Sequence, residues 1–233
     1  MLQTIKIALI ILISLVMTAC GGGGGGSSGT TTQTSTATFQ IKAAYLNYTT
    51  STEAQNFTLS ATYNGVHVGG SGTVTTGGFY STVFEGASAF AKSTSVTGTV
   101  YANGVNAPYG GSATLYVDSN YMPLGESSTV YAVVRAGANI PSTGKVGDTG
   151  TWSTADIYTD STKTVKNGTT VVSYFLEPDT LSTAILNTIS TEQDNDGNTS
   201  VTTIKFRITP AGQITMLSKI STNSSTSVTI TYN

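Results

Sequence analysis

Three features of the sequence predict an all-β protein of antiparallel strands. Apolar residues recur with a period of two through most of the chain, the pattern of half-buried strands. Asn-Gly, Asp-Gly and Pro-Ala-Gly turns separate those runs. The composition favours hydroxyls over charges: 44 threonines and 27 serines stand among 233 residues, while Asp, Glu, Lys and Arg together make up 9%. Soluble domains carry ~25% charged residues, so solubility here falls to threonine, which also suits strands. The expected fold is an immunoglobulin-like sandwich followed by a curved antiparallel β-meander.

The first residues, "MLQTIKIALIILISLVMTAC", are a leader and not part of that fold. Lys6 is followed by an apolar run from Ile7 to Val16, then by Thr18, Ala19 and Cys20. Charged, apolar and small segments in that order make a secretory signal. The apolar run is too short for a membrane-spanning helix, which takes ~20 residues. Met17-Thr18-Ala19-Cys20 resembles the lipobox of bacterial lipoproteins, with Met17 where that pattern favours Leu. The resemblance implies cleavage between Ala19 and Cys20, a diacylglyceryl thioether on the Cys20 sulfur and an acyl chain (palmitate-like) on the new amino terminus. Gly21 after the cysteine, instead of Asp, implies an outer-membrane destination. Two or more lipid chains give stable anchoring where one does not. Residues 21–37, "GGGGGGSSGTTTQTSTA", have no pattern that could pack a core. Such chains are flexible coils with a reach of roughly 5–6 Å × √n, so this segment reads as a tether. Its glycines lack the strand and helix that a dinucleotide-binding loop requires.

The strands follow in order. "TFQIKAAYLNY" alternates Phe39, Ile41, Ala43 and Tyr45, and "NFTLSATY" alternates Phe57, Leu59, Ala61 and Tyr63. Asn64-Gly65 and Asn103-Gly104 predict hairpins. "RAGANIPSTGKVGDTG", residues 135–150, interrupts the alternation. It suggests a sandwich over 38–135, a linker over 136–145 and a meander over 146–233, with one continuous β domain as the alternative. "DTLSTAILNTISTE" has the β-branched content of a strand. Asp196-Gly197 and Pro210-Ala211-Gly212 predict the turns flanking "TTIKFRIT", with Ile204, Phe206 and Ile208 on one face. "QITMLSKIS" puts Ile214, Met216, Ser218 and Ile220 on one face, and "SVTITY" closes the chain. About a dozen strands and no amphipathic helix are expected in the mature protein.

Few residues carry chemistry. Cys20 is the lone cysteine, so no structural disulfide can form within the chain. His67 is the lone histidine, alternates with Val66 and Val68, and has no nucleophile elbow: Gly69-Gly70-Ser71-Gly72-Thr73 fails G-x-S-x-G at its last position. One histidine and one lipid-blocked cysteine cannot close a zinc shell. Glu192, Asp194 and Asp196 before Gly197 match the first half of a calcium loop, but Thr203 stands at its twelfth position and a strand follows. An ordinary Asp-Gly turn explains the same residues. Asp118, Asp156, Asp160, Glu177 and Asp179 are the acids open to a hydrolase, and their spacing does not converge. Trp152, with the tyrosines, is the candidate for aromatic binding. The mature chain keeps nine Lys/Arg against twelve Asp/Glu with no basic cluster, which disfavours nucleic acid as a partner.

The expected function is non-enzymatic and needs no cofactor: a lipid-anchored outer-membrane lipoprotein that displays a β module to an envelope protein or glycan, facing either the periplasm or the exterior. Carriage of an apolar ligand in a curved sheet, and a carboxylate-based hydrolase, are the alternatives. An apolar groove would favour carriage, and acids clustered in a deep pocket would favour the hydrolase.

Overall fold

The computed structural model describes residues 34–52, 54–63, 66–223 and 226–232. Ala19, Cys20, most of the tether and the Asn64-Gly65 turn lie outside these residues. Among the described residues one helix, α1 (Ile41–Thr50), precedes thirteen strands: β1 (Ala54–Tyr63), β2 (Val66–Thr76), β3 (Tyr80–Phe84), β4 (Ala87–Ala102), β5 (Val105–Val117), β6 (Pro123–Ser127), β7 (Tyr131–Val134), β8 (Thr149–Tyr158), β9 (Lys166–Pro178), β10 (Ala184–Asp194), β11 (Thr199–Ile208), β12 (Ile214–Thr222) and β13 (Thr226–Tyr232).

All strands belong to one antiparallel sheet. From β4 to β13 each strand pairs with the next in sequence, and β13 then pairs with β1, Phe57 opposite Tyr232 and Ala61 opposite Val228. β1 pairs with β2, and β2 pairs with residues 94–102 of β4. β3 lies along residues 87–91 of the same strand. β2 and β3 therefore share one position, and the sheet closes into a twelve-strand β-barrel. This corrects the expected sandwich plus meander. Alternation marks most of the strands, but closure depends on pairing between β1 and β13, which are far apart in sequence. The expected linker, 136–145, joins β7 to β8, which are hydrogen-bonded neighbours in the barrel.

Local chemistry explains the turns. Asn103 and Gly104 both have positive φ, as do Glu85 and Gly86, which is what two-residue hairpins of matching twist require. Asp194 holds the β10–β11 turn, its carboxylate accepting from the backbone N–H groups of Asp196 and Asn198. Residues 209–213 turn β11 into β12.

The wall is apolar inward and hydroxyl-bearing outward. Inward positions include Tyr174 and Leu176 on β9, Leu186 on β10, and Ile204, Phe206 and Ile208 on β11, all buried. Outward positions on β1, β2 and β4 are mostly threonine and serine, with His67 among them and exposed. Membrane-spanning barrels show the reverse, an apolar band facing out. Where β2 meets β4 the wall is pressed thin. Gly72 faces Gly98, and a Cβ on Gly72 would lie 2.3 Å from the Thr97 oxygen and 2.8 Å from Phe57 Cζ. Phe57 can lie over Gly72 only because that residue is glycine, and a Cβ on Gly98 would lie 2.4 Å from the Ser71 oxygen.

Outside the wall, the tip of the β3–β4 hairpin folds over its neighbours. Phe84 stacks on Tyr116 with centroids 4.4 Å apart, the Tyr131 hydroxyl donates to Glu85 at 2.7 Å, and Lys163 pairs with Glu85.

An eight-stranded barrel is filled by its own side chains, and wider barrels leave internal space. Here α1 takes part of it. Ile41, Ala44, Tyr45 and Tyr48 are buried, at spacings of three and four. These residues pack with Trp152, Leu186, Phe206 and Met216 in one cluster. The helix corrects the reading of "TFQIKAAYLNY" as a strand. Ile41 and Tyr45 satisfy both periods and Ala43 and Ala44 are identical, so only Tyr48, in place of Asn47, favours the helix.

Candidate functional site

α1 closes one end of the barrel through several loops. Phe39 exchanges backbone hydrogen bonds with Gly144 at 2.8 and 3.0 Å, and Gln40 N–H donates to the Pro210 carbonyl. The Tyr45 hydroxyl donates to the Tyr121 carbonyl at 3.2 Å, and Asn47 donates to the Gly212 carbonyl at 2.9 Å. The helix C-terminus is held from β4: Lys92, 1% exposed, donates to the carbonyls of Thr49 at 2.7 Å and of Ser51. A cation there satisfies carbonyls that have no partner within the helix and complements its dipole.

Behind the helix the lumen encloses a cavity of about 170 Å³. Tyr45, Tyr48, Trp152, Leu186, Phe206 and Ile214 line the helix side. Glu126, Thr170, Ser190, Glu192 and Thr202 line it further along the strands. The inward faces of β10 and β11 are graded in the same sense. On β10 the face runs Ala184, Leu186, Thr188, Ser190, Glu192, and on β11 Ile208, Phe206, Ile204, Thr202. Both sequences start at the helix end. Thr170 pairs with Ser190 and Thr202 with Ser221, each hydroxyl–hydroxyl contact being 3.0 Å.

Two polar atoms facing this space are buried without a hydrogen-bond partner: Glu126 Oε1 and Trp152 Nε1. Burial pushes the Glu126 carboxyl up to about 8; the charge of Lys219 opposes this and Glu192 adds to it. Glu192 is also raised, by burial and by Asp194. Lys219, 1% exposed, is lowered to about 8 by burial, with Glu126 acting in the opposite direction. Bulges put Lys219 and Trp152 inside. A shift between Lys205 and Phe206 in the β11–β12 pairing turns Lys219 inward, so Ser218 and Ile220 leave the face that strict alternation gave them. Trp152 is skipped in the β8–β9 pairing between Thr151 and Ser153. A bulge re-aims a side chain in this way, and it lets Trp152 and Ser153 both line the cavity. Trp152 stacks on Tyr174 at 5.7 Å and meets the edge of Tyr45 at 6.0 Å.

The other sequence candidates lie elsewhere. Asp156 pairs with Arg135 and Lys166 on the outer face, and these hold it at about 2. Glu177 pairs with Lys205, and Asp179 with Arg207. Asp118 and Asp160 accept hydrogen bonds from backbone N–H groups in their own turns. Of the calcium candidates, Glu192 faces the lumen, whereas Asp194 is spent on its turn. Among the described residues no three metal-ligating side chains gather. Glu126 and Lys219 were missed. Glu126 sits in "YMPLGESST", where Pro123 and Gly125 hide any alternation, and the Lys219 face is reversed by its bulge.

No protein-family model matches the chain, and no curated protein or solved structure matches it.

Proposed function

We propose that this protein is a lipid-anchored outer-membrane lipoprotein whose barrel binds a small, mainly apolar molecule, without catalytic turnover. The observation that carries the binding reading is the lumen itself: a cavity of about 170 Å³, apolar at the helix end, with two unpaired buried polar atoms facing it. Buried donors and acceptors are ordinarily satisfied, and a ligand that pairs with them recovers the cost of leaving them bare. Apolar concave sites with a few polar groups are the usual form of small-molecule pockets.

Binding inside the barrel accounts for these groups better than display of the outer face to an envelope protein or glycan. It also suits them better than hydrolysis. A glycosidase pairs one protonated carboxyl with a second across a sugar ring, and an apolar lumen is poor lodging for a sugar. The lipid anchor rests on the lipobox resemblance.

Trp152 is the chain's one tryptophan, so its fluorescence reports on the lumen directly. Titrating the full chain with phenylbutanol, a neutral molecule of suitable size, should shift that fluorescence saturably. The lumen-filling substitution Ala132→Phe should abolish the response while leaving the circular dichroism spectrum unchanged. A linear, unsaturable response, or one that survives Ala132→Phe, would sink the reading.

A further inference from the structure

We infer that the ligand is an amphipathic amine, with its apolar body against the helix end of the lumen and its ammonium group between Glu126 and Glu192. This rests on the lumen reading and specifies its substrate class. Three observations converge on it.

The first is direction. The inward faces of β10 and β11 both change from aliphatic or aromatic at the helix end to hydroxyl and carboxylate away from it. A molecule with one apolar and one polar end fits this lumen in one orientation.

The second is charge. Glu126 on β6 and Glu192 on β10 titrate and line the cavity; Lys219 on β12 is buried and interacts with Glu126, and Tyr109 on β5 and Tyr232 on β13 pack in the neighbouring core cluster. At the helix end stand Tyr45, Tyr48, Tyr174 and Lys92, and Lys92 is committed to the helix carbonyls. Away from the helix there are two carboxyls for one ammonium. A buried charge requires a partner, so one added cation lets both carboxyls ionise against two positive groups. Glu126 Oε1 is the acceptor left bare. An anion would meet two carboxyls, and a neutral molecule would leave their charge as it is.

The third is size and shape. A water-sized group occupies ~10–15 Å³ of such volume, so about 170 Å³ holds on the order of a dozen non-hydrogen atoms. The ring faces of Trp152, Tyr45 and Tyr174 suit an aryl or compact alkyl body.

The test compares phenylbutylamine, phenylbutanol and phenylbutanoate on the full chain, read by Trp152 fluorescence and by calorimetry. The amine should bind tightest and the acid weakest. Charge-assisted hydrogen bonds place the amine's advantage over the alcohol at about tenfold or more. Glu126→Gln should erase most of that advantage, bringing the amine down to about the alcohol's affinity, and an unchanged circular dichroism spectrum shows that the variant is folded. Amine binding at neutral pH should release a proton, seen as a dependence of the apparent heat on buffer, because Glu126 is held protonated in the free protein. Should the alcohol bind while the acid equals or exceeds the amine, or should Glu126→Gln leave the amine unaffected, the amine inference is overturned and the lumen reading stands. Should none of the three bind, both are overturned.

Discussion

At the scale of single residues, the lumen couples stability to pH in a direction opposite to that of the surface acids. Burial, helped by Glu192 and opposed by Lys219, raises Glu126 from 4.5 to about 8. The folded protein therefore holds a proton that the unfolded chain has released between those values. Stability is full below about 4.5 and falls as pH rises through about 8. Lys219 and Lys92 are lowered from 10.5 to about 8 by burial, so their contribution is present above 10.5 and lost as pH falls through about 8. Wild-type thermal midpoints should thus decline from mildly acidic pH to a minimum near pH 8. In Glu126→Gln the decline should be much shallower, with the residue of it set by Glu192. Calorimetric melts across that range check this, and an equal slope in both proteins would contradict it. The surface acids act elsewhere: Asp156, held at about 2 by Arg135 and Lys166, loses its contribution only in strong acid. Sequence alone exposed Asp156 and concealed Glu126, because alternation is a wall-wide signal and Pro123 and Gly125 break it where Glu126 turns inward.

Among the elements, α1 is the one that propensity should have revealed and periodicity obscured. Ala43, Ala44 and Leu46 are good helix formers, yet ten residues make a marginal helix unless packing holds it. Its packing comes from the barrel, and its C-terminal carbonyls are met by Lys92 from β4. Lys92→Met keeps the bulk of the side chain but leaves the Thr49 and Ser51 carbonyls without their donor. The expected cost is about 1–3 kcal/mol, read by chemical denaturation. Because Tyr45 meets Trp152 edge-on, a loosened helix should also shift the Trp152 emission. A variant with wild-type stability and emission would show that the cap is dispensable. The strands were easier to read: "TTIKFRIT" and the turns at 103–104, 196–197 and 209–213 lie where alternation and turn chemistry put them. The bulges at Trp152 and in β12 were not legible, since one extra residue reverses a face without changing the composition of either side.

For the molecule as a whole, closure is the property least visible in sequence and most consequential for function. A meander of the same strands left open would present its apolar face to a partner. Pairing β13 with β1 turns that face inward and creates a lumen. The same geometry relates the lumen to the proposed anchor. The chain enters the fold at Phe39, which is bridged to Gly144 beside the helix, so the tether joins at the plugged end. A lipid on Cys20 would hold that end nearest the membrane, and Glu126 and Glu192 would lie on the side away from it. The anchor is tested by Cys20→Ser. Wild type should fractionate with membranes and be extracted by detergent but not by high salt. Cys20→Ser should either be recovered in the soluble envelope fraction or persist with its leader uncleaved, and in the soluble case it should keep the saturable Trp152 response to phenylbutanol. Membrane association of a processed Cys20→Ser protein at the wild-type level would defeat the anchor reading while leaving the lumen untouched, because the barrel is built wholly from residues after the tether.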